Sequence, residues 1–422
     1  MLKAIAGANW GDEGKGKIVD FCASDADIVA RFQGGANAGH TILNEYGKFS
    51  LHQLPSGVFY KNVTNVITGG VVLDMEKLID EINSVKRAVD VDLKISDRVQ
   101  ILMPYHILQD IYEEERLAER QFGSTRSGIA PAYSDKYAKS GFQLWELFRP
   151  EDFKIKLKDH LIKLNILFKH LYNKPELIFD DIYNSAMSNA EKIGKYMDNA
   201  SAFLNKAIKE NKTIYFEAQL GTLKDIDNGT YPYVTSSSTV SGYALASAGV
   251  PVGCLTEVIA VTKAYATTVG EGPFVTELFG GEADELRARG GDVGEFGATT
   301  GRPRRVGHFD CVATKYGFNL QGSHTGALTC LDVLGYMDEI KVCTAYEIDD
   351  GQTTDFPTTA ALYKALPIYE TLPGWKCDIR GQKDFDKLPQ QAKDYIAFLE
   401  ARIEAKFKYI STGPRREETI VR

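Results

Sequence analysis

The first twenty residues constrain the fold more than any other stretch of the chain. An apolar run, Leu2 to Ala8, predicts a buried strand. It continues into the glycine-rich segment GANWGDEGKGK and then into residues with helical spacing from Lys17 to Ala23. A strand, a glycine-rich loop and a helix in this order place free backbone N–H groups and the positive end of a helix dipole before a phosphate. The stretch therefore predicts a phosphate-binding loop in an α/β protein.

The loop departs from the usual phosphate-binding loop in two respects. Residues 11–17 have the spacing G-x-x-x-x-G-K, but Ile18 follows where Ser or Thr normally supplies a hydroxyl ligand for Mg²⁺. Two acids, Asp12 and Glu13, lie inside the loop, where a carboxylate is unfavourable unless a metal ion or a proton transfer uses it. We predict that Asp12 is a catalytic group close to Mg²⁺. The alternative interpretation is a tight turn between a strand and a helix.

The rest of the chain alternates apolar strands with helices. Strands are predicted over 27–32, 62–68, 99–103, 213–217, 254–262, 327–331 and 407–410. Helices are predicted over 75–89, 104–121, 154–172, 175–188, 190–210 and 390–406. This alternation predicts one α/β domain over residues 1–422, with a large, mostly parallel central sheet and covering helices. Residues 151–211 are expected to form a helical insertion or subdomain within it.

Four further polar loops accompany the predicted strands. Residues 33–41 contain His40, a candidate acid or phosphate contact, although a histidine beside glycine also commonly caps a turn. Residues 123–136 and 218–237 are rich in small polar side chains, and residues 296–305 carry three arginines beside two threonines. Guanidinium groups suit carboxylates and phosphates, although such a cluster is also found in solvated turns. Because α/β proteins bind ligands at the carboxyl ends of their strands, these loops predict a ligand site.

Composition argues against several classes of protein. The 422 residues carry a net charge of −8, which argues against nucleic-acid binding driven by overall charge. The six cysteines are scattered without a C-x-x-C pair, so a reduced cytoplasmic setting is expected and a zinc site is not. The N-terminus opens directly into a strand, so no signal peptide is expected. No apolar run approaches the ~20 residues of a membrane helix, so no membrane partner is expected.

Taken together, these motifs resemble those of the adenylosuccinate synthetase family. The resemblance runs from Gly7 almost to the C-terminus and is carried by residues 11–20, 37–41, 225–237, 272–278 and 296–302. It implies a ligase that joins L-aspartate to IMP through a 6-phosphoryl intermediate. GTP is converted to GDP and phosphate, and the product is adenylosuccinate, a precursor of AMP. The resemblance also implies one Mg²⁺ ion per subunit and a homodimer.

The resemblance further assigns roles to individual residues. The catalytic residues would be Asp12 as the base near N1 of IMP, His40 as the acid that stabilises the transferring phosphoryl group, and Lys15. Asp12 and the carbonyl of Gly39 would bind Mg²⁺. GTP would be bound by Gly11, Asp12, Glu13, Gly14, Lys15, Gly16, Lys17, Gly39, His40, Thr41, Arg304, Cys330, Leu331, Asp332, Ser411, Thr412 and Gly413. IMP would be bound by Asp12, Asn37, Ala38, Thr125, Leu220, Thr235, Arg302 and, from the second subunit, Lys139. Aspartate would be bound by Ala298, Thr299, Thr300, Gly301, Arg302 and Arg304.

Several positions differ from the residues usual in the family. Leu220 stands where a glutamine contacts IMP, and Lys139 stands where an arginine of the second subunit meets the IMP phosphate. Cys330 replaces a lysine before the Leu-Asp pair that reads guanine, and Ala36 and His308 also differ. These differences leave open a second hypothesis. It is a paralogue that attaches aspartate to another 6-oxopurine nucleotide, such as GMP or dGMP, or that uses ATP.

Two other classes of function fit the sequence less well. A GTPase switch protein would need Ser or Thr at the position of Ile18, and it gives no reason for the arginines at 302–305. An inactive binding module would need the loss of a catalytic residue, whereas Asp12, Lys15 and His40 are all present. The sequence therefore predicts an active ligase.

Overall fold

The computed structural model describes residues 1–120, 122–291, 294–297, 301–349 and 351–422. Twenty strands lie within these ranges: β1 (Leu2–Gly7), β2 (Ile28–Arg31), β3 (His40–Asn44), β4 (Gly47–Leu51), β5 (Thr64–Ile67), β6 (Val72–Leu73), β7 (Leu93–Ser96), β8 (Gln100–Ile101), β9 (Met197–Asp198), β10 (Ile214–Gly221), β11 (Leu255–Lys263), β12 (Ala266–Thr268), β13 (Arg305–Gly307), β14 (Phe309–Asp310), β15 (Thr325–Thr329), β16 (Glu339–Ile348), β17 (Gly351–Thr353), β18 (Leu366–Pro373), β19 (Lys406–Ser411) and β20 (Thr419–Val421).

The α-helices of the described residues number twelve: α1 (Lys15–Cys22), α2 (Met75–Val85), α3 (Pro104–Leu117), α4 (Ile129–Ala138), α5 (Pro150–His170), α6 (Phe179–Ile193), α7 (Ala200–Lys209), α8 (Gly242–Ala248), α9 (Gly280–Arg289), α10 (Cys311–Gln321), α11 (Thr359–Leu362) and α12 (Gln390–Ile403). Over the ranges that could be described, none of these helices combines the length and the apolar character needed to cross a bilayer.

Ten of the strands form one central sheet in the order β20-β19-β15-β11-β1-β10-β2-β5-β7-β9. Every pairing in it is parallel except that of β19 with β20. All six residues of β1 are buried, as expected for a strand with a neighbour on each side and helices over both faces. The sheet confirms the predicted α/β fold class.

The parallel arrangement brings several sequence-distant loops to one edge of the sheet. Strand β1 pairs with β10 on one side and with β11 on the other. Because the strands run in the same direction, the segments after β1, β2, β10, β11 and β15 all leave the sheet at its carboxyl edge. The segments after β1, β2, β10 and β15 contain residues that were predicted to bind ligands.

Helices α5 and α6 share one hydrophobic core with the side of the sheet that carries β5 and β7. Phe153 and Leu157 of α5 and Ile182 of α6 belong to the same buried cluster as Leu78 of α2 and Ile95 of β7. The predicted helical insertion therefore packs against the parent sheet through apolar side chains, whose burial is the main favourable contribution to folding.

The predicted helix over 190–210 is wrong. Helix α6 ends at Ile193, and the short strand β9 then joins the central sheet beside β7. Helix α7 starts afresh at Ala200, where the side chain of Asn199 accepts a hydrogen bond from the N–H of Ala202 at 3.0 Å. Asn is a preferred N-cap residue, so Asn199 is the signal that divides the two helices.

Three other expectations need correction. The predicted strand at 99–103 is only the two residues of β8, which pair with β6 outside the central sheet. The helix expected from 175 begins at Phe179, and α1 begins at Lys15 rather than Lys17. A separate four-stranded sheet, in which β16 pairs in antiparallel with β17 and β18 and in parallel with β14, was not predicted. Its exposed strands mix polar and apolar residues and give a weak periodic signal.

Candidate active site

A chamber of about 1270 Å³ opens at the carboxyl edge of the central sheet. Loops that follow β1, β2, β10, β11 and β15 contribute to its wall, together with α4 and the segment after β19. The predicted site residues that line it are Gly11, Asp12, Gly14, Lys15, Gly16, Lys17, Asn37, Ala38, Gly39, His40, Thr41, Thr125, Leu220, Thr235, Arg304, Cys330, Ser411 and Gly413.

The remaining predicted site residues lie elsewhere. Glu13, Leu331 and Thr412 are buried behind the chamber wall, and Asp332 is half-buried in the turn after Leu331. Lys139, Gly301 and Arg302 are exposed and lie outside the lining. Ala298, Thr299 and Thr300 fall outside the described residues.

The glycine-rich loop presents the start of α1 to the chamber. Gly14 caps the helix with φ of +83°, a conformation that residues with a side chain rarely adopt, and no side chain caps the helix. A Cβ at Gly16 would lie 2.7 Å from the Cβ of His40, so a glycine is needed where the helix meets β3. The uncapped N–H groups and the helix dipole favour an anion at this position.

Glu13 and Lys15, two charged residues of the glycine-rich loop, form an ion pair with each other. Lys15 Nζ lies 2.7 Å from Glu13 Oε2 and also donates to the carbonyl of Gly11 at 3.1 Å. Glu13 Oε1 accepts the N–H groups of Asn9 at 3.0 Å and of Gly11 at 2.7 Å. Glu13 therefore shapes the loop, whereas Lys15 both fixes the loop and reaches the chamber.

Lys17 connects α1 to the segment after β19. Its Nζ donates to Ser411 Oγ at 2.5 Å, to the carbonyl of Gly413 at 2.7 Å and to the carbonyl of Glu418 at 2.9 Å. Burial lowers the pKa of Lys17 to about 8. The contacts hold the segment predicted to flank guanine against α1, the helix predicted to bind phosphate.

Asp12 is held through one of its two carboxylate oxygens. Its Oδ2 accepts a hydrogen bond from Thr267 Oγ1 at 2.5 Å and lies 3.3 Å from Arg304 Nε and 3.9 Å from Lys263 Nζ. No hydrogen-bond donor of the described residues reaches Oδ1. Asp12 lines the chamber, so Oδ1 is available to a ligand.

Glu295 neutralises the two cations that approach Asp12. Lys263 Nζ lies 2.8 and 2.9 Å from its two oxygens, and Arg304 and the hydroxyl of Tyr265 also donate to it. Burial alone would raise the pKa of Glu295, but Lys263 and Arg304 lower it to about 2. Glu295 is therefore ionised, and it positions Arg304 against Asp12.

His40 is held at one ring nitrogen and is unpaired at the other. Its Nδ1 contacts Glu217 Oε1, and Arg31 Nη2 lies 2.9 Å from the same nitrogen. The carboxylate of Glu217 fixes the proton on Nδ1, so Nε2 carries the lone pair of the neutral ring. Nε2 is buried without a hydrogen-bond partner among the described residues, and His40 lines the chamber.

The environment keeps the resting His40 ring neutral. Burial, and then the charge of Arg31, lower the pKa of His40 to about 4. Burial of Glu217 would raise its pKa, but Arg31 and His40 lower it to about 2. Glu217 is fixed in turn by Ser56, whose N–H and hydroxyl donate to it at 2.7 and 2.6 Å.

At the end of β10, neither Leu220 nor Gln219 provides the expected contact between a glutamine and a ligand. Leu220 adopts φ of +56° and lines the chamber with an apolar side chain. The neighbouring Gln219 is buried, and its amide donates to the carbonyls of Gly35 at 2.9 Å and His52 at 2.6 Å. Gln219 therefore supports the loop after β2 instead of facing a ligand.

Sequence reasoning missed Arg31, Glu217, Lys263, Glu295 and Lys224 as residues of the site. The first three share a signal, since each is a charged residue inside a strand at a position flanked by buried residues. A charge in such a position requires a partner, because an unpaired buried charge is costly. Glu295 lies in a loop and Lys224 in a short 3-10 helix, and neither carries a comparable signal.

The donor set around Asp12 fits Mg²⁺ better than a zinc-type metal. No group of three or more His, Cys, Asp or Glu side chains capable of holding a metal was found in the described ranges. Mg²⁺ is usually bound by one or two carboxylates together with substrate phosphates. Asp12 and Gly39, which both line the chamber near the start of α1, suit this mode.

Comparison with known proteins identifies close relatives along the whole chain. The family model for adenylosuccinate synthetase matches residues 4–420. An adenylosuccinate synthetase from Clostridioides difficile (strain 630) is 43% identical over 99% of this chain and 98% of its own. An adenylosuccinate synthetase from Thermoanaerobacter sp. (strain X514) is 44% identical over 99% of this chain and 98% of its own.

Solved structures give the same result. Fully ligated adenylosuccinate synthetase from Plasmodium falciparum is 36% identical and matches with a TM-score of 0.93 over 100% of this chain and 99% of that chain. A succinoaminodeoxyadenylate synthetase of cyanophage S-2L, bound to dGMP and dATP, is 17% identical and matches with a TM-score of 0.63 over 100% of this chain and 95% of that chain. The phage enzyme shares the fold alone.

Proposed function

The chain belongs to the adenylosuccinate synthetase family and is a ligase that joins IMP to aspartate, and we propose that Asp12 and His40 carry its chemistry in the chamber. The family depends on GTP, which we place with its phosphates at the glycine-rich loop and the start of α1. The observation that carries the proposal is that Asp12 Oδ1 and His40 Nε2 both lack partners among the described residues and belong to chamber-lining side chains.

The first step must activate the 6-oxygen of IMP, which is a poor leaving group. Asp12 takes the proton from N1, the N1–H electrons form the N1–C6 double bond, and negative charge moves to O6. O6 then attacks the γ-phosphorus of GTP, the bond from that phosphorus to the bridging oxygen breaks, and GDP leaves. The product of this step is 6-phosphoryl-IMP.

The second step forms the C–N bond. The amino group of aspartate attacks C6, the C6–O6 bond breaks with its electrons moving to the leaving phosphate, and the attacking nitrogen loses a proton, which the phosphate accepts. Segment 296–305 is the proposed aspartate site, because Arg304 lies beside Asp12 and the same segment contains further arginines. Its predicted contacts are Ala298, Thr299, Thr300, Gly301, Arg302 and Arg304.

His40 serves the transferring phosphoryl group through Nε2. In the resting protein the ring is neutral, since burial and Arg31 lower its pKa. The negative charge of bound phosphates favours the protonated ring. Nε2–H then donates to a phosphoryl oxygen while Glu217 holds Nδ1, so the ring acts without reorientation.

We propose that Asp12 and the carbonyl of Gly39 would hold one Mg²⁺ ion close to the phosphates of GTP. When bound, Mg²⁺ neutralises charge that builds on the phosphates during transfer. The side-chain contacts to Oδ2 from Thr267 and Arg304 fix the carboxylate so that Oδ1 faces the chamber.

The nucleotide and subunit contacts complete the proposal. Cys330, Asp332 and residues 411–413 surround the guanine base, and Asn37, Ala38, Thr125, Leu220 and Thr235 contact IMP. Lys139 is exposed at the end of α4 and does not line the chamber of its own chain, which supports its predicted role in a homodimer.

The domain organisation and the cellular location also belong to the proposal. Residues 1–422 would act as one domain, since the helices at 150–193 share a core with the sheet. A cytoplasmic location is proposed because all six cysteines are free thiols.

The test is a matrix of reactions with purified protein, Mg²⁺ and aspartate. IMP, dIMP, GMP and dGMP are each paired with GTP and with ATP, and both phosphate release and the succinylated product are measured. We expect the fastest turnover with IMP and GTP. Faster turnover with a guanylate, or with ATP, would show that the differences at Leu220 and Cys330 have changed specificity and would contradict the proposal.

A further inference from the structure

Lys224 is a charged residue of the chamber that the reaction scheme does not yet use. It lies three residues after the end of β10, and its half-buried side chain lines the chamber with Asp12 and Leu220. Its carbonyl accepts the N–H of Thr235 at 2.9 Å, and its Nζ donates to the carbonyl of Tyr233 at 3.1 Å. Lys224 is thus fixed beside a residue proposed to contact IMP.

Among the residues that the structure describes, the ammonium group of Lys224 has one hydrogen-bond acceptor, which is neutral. It forms no ion pair within the described part of the chain, and the charged groups that face it are Arg305, Asp12 and Glu271. Burial, and then Arg305, lower its pKa to about 8, so the group is still mostly protonated at neutral pH. An ammonium has three donors, and a partly buried cation with one acceptor is poised to bind an anionic oxygen.

Neighbouring side chains cannot take the same role. Leu220 has no polar atom, and the amide of Gln219 is used by Gly35 and His52. Arg305 is held by Glu277 at 2.5 Å and by the carbonyl of Gly272 at 2.8 Å. Of these residues, Lys224 alone presents an uncommitted donor to the chamber.

We propose that Lys224 donates a hydrogen bond to the 6-oxygen of IMP and stabilises the negative charge that forms there. The inference rests on the proposed function. Removal of the N1 proton by Asp12 moves an electron pair onto O6, and a nearby ammonium favours that state over neutral IMP. The charge disappears from O6 once the phosphoryl bond has formed, so the contact is strongest at the step that needs it.

The experiment compares Lys224→Met and Lys224→Arg with the unchanged protein. The control is Lys206→Met, because Lys206 lies on α7 with a 75% exposed side chain away from the chamber. Three quantities are measured: kcat, the KM values of IMP and aspartate, and positional isotope exchange in the absence of aspartate. Exchange follows an ¹⁸O label from the β–γ bridge of GTP to a non-bridging position. It therefore reports only the reversible transfer of the phosphoryl group to IMP, and not the later step with aspartate.

We expect Lys224→Met to lower both kcat and the aspartate-free exchange by about 10²-fold, within the range for removal of a donor to a developing oxyanion. Lys224→Arg retains the charge and should keep at least a tenth of the activity. The KM of IMP should change by less than about threefold, since neutral IMP gains little from the contact. Thermal unfolding of each variant confirms folding, and Lys224→Gln is the substitute if the Met variant does not fold.

Two results would overturn the inference. Unchanged exchange with a raised KM for aspartate would place Lys224 at an aspartate carboxylate. Unchanged exchange at saturating IMP with a raised KM for IMP would place it at the 5′-phosphate. Failure of the proposed function is distinguishable from both, because the unchanged protein would then form no adenylosuccinate.

Discussion

Two buried histidine–carboxylate clusters in this protein have similar parts and different surroundings. In the first, His40 contacts Glu217 beside Arg31 at the carboxyl edge of the sheet. In the second, His106 Nε2 and His160 Nε2 each lie 3.0 Å from Asp135 Oδ2. The second cluster joins helices α3, α4 and α5.

His106 and His40 differ in the ring nitrogen that does not contact the carboxylate. His106 Nδ1 accepts the N–H of Met103 at 3.0 Å and its Nε2 donates to Asp135, so both nitrogens are paired. His40 has the unpaired Nε2, and it lines the chamber. A histidine with both nitrogens paired inside the protein serves structure, whereas one with a free nitrogen at a ligand chamber is available for chemistry.

The strongest test of this contrast is His40→Asn. Loss of an acid at the transferring phosphoryl group should lower kcat by about 10²–10⁴-fold. The melting temperature should change little, because Ser56 and Arg31 still pair with Glu217. Steady-state kinetics and calorimetry on the same preparations check both statements. A His40→Asn protein with more than a tenth of the original kcat would remove His40 from the mechanism.

The opposite pattern is expected for Asp135→Asn. Loss of this carboxylate leaves His106 and His160 without their common partner, and losing a buried hydrogen bond to a charged group costs about 1.5–3 kcal/mol. Urea unfolding should show that loss of unfolding free energy, while kcat of the folded protein stays within about threefold. The exposed pair of Lys169 with Glu176 offers a control, since Glu176→Gln should cost no measurable stability.

Acidification should reduce the difference between the unchanged protein and Asp135→Asn. Burial alone would raise the pKa of Asp135, but the hydrogen bond with His106 and the nearby ring of His160 bring it below its usual range. Asp135 therefore stabilises the folded protein above about pH 4, where the carboxyl group of the unfolded chain is ionised. This stabilisation is lost as the pH falls toward the lower pKa that Asp135 has in the folded protein. Unfolding curves from pH 7 to 3 measure it. A difference that stays constant below pH 4 would contradict this assignment.

The smallest effect is expected at Cys330, which lines the chamber but belongs to neither cluster. Burial raises the pKa of its thiol to about 11, so it presents a neutral group near the predicted guanine site. Cys330→Lys should raise the preference for GTP over ATP several-fold by adding a cation near the base and Asp332. The ratio of kcat/KM for the two nucleotides measures this. An unchanged ratio would show that the base is recognised elsewhere.

The contrast also explains which parts of the molecule the sequence could predict. The glycine-rich loop with Asp12 was recognisable because glycine and charge are concentrated within a few residues of a buried strand. The fold class followed from the alternation of strands and helices. His40 was named as a candidate, but no local pattern distinguishes its environment from that of His106.

What could not be predicted depends on contacts between distant segments. Glu217 meets His40 across 177 residues, and Lys263 meets Glu295 across 32. Lys224 acquires its position from the fold of the loop that contains Tyr233 and Thr235. The orientation of Gln219 away from the chamber depends on Gly35 and His52, which belong to other segments of the chain.

The central claim is that groups with a free atom at the chamber carry the reaction, and Asp12 tests it most directly. The measurement is the rate of adenylosuccinate formation by Asp12→Asn with IMP, aspartate, GTP and Mg²⁺, beside Asp90→Asn as a control in an exposed loop away from the chamber. We predict a fall of at least about 10³-fold, with the melting temperature within a few degrees and the control unaffected. A folded Asp12→Asn protein that keeps a tenth or more of the original rate would contradict the account.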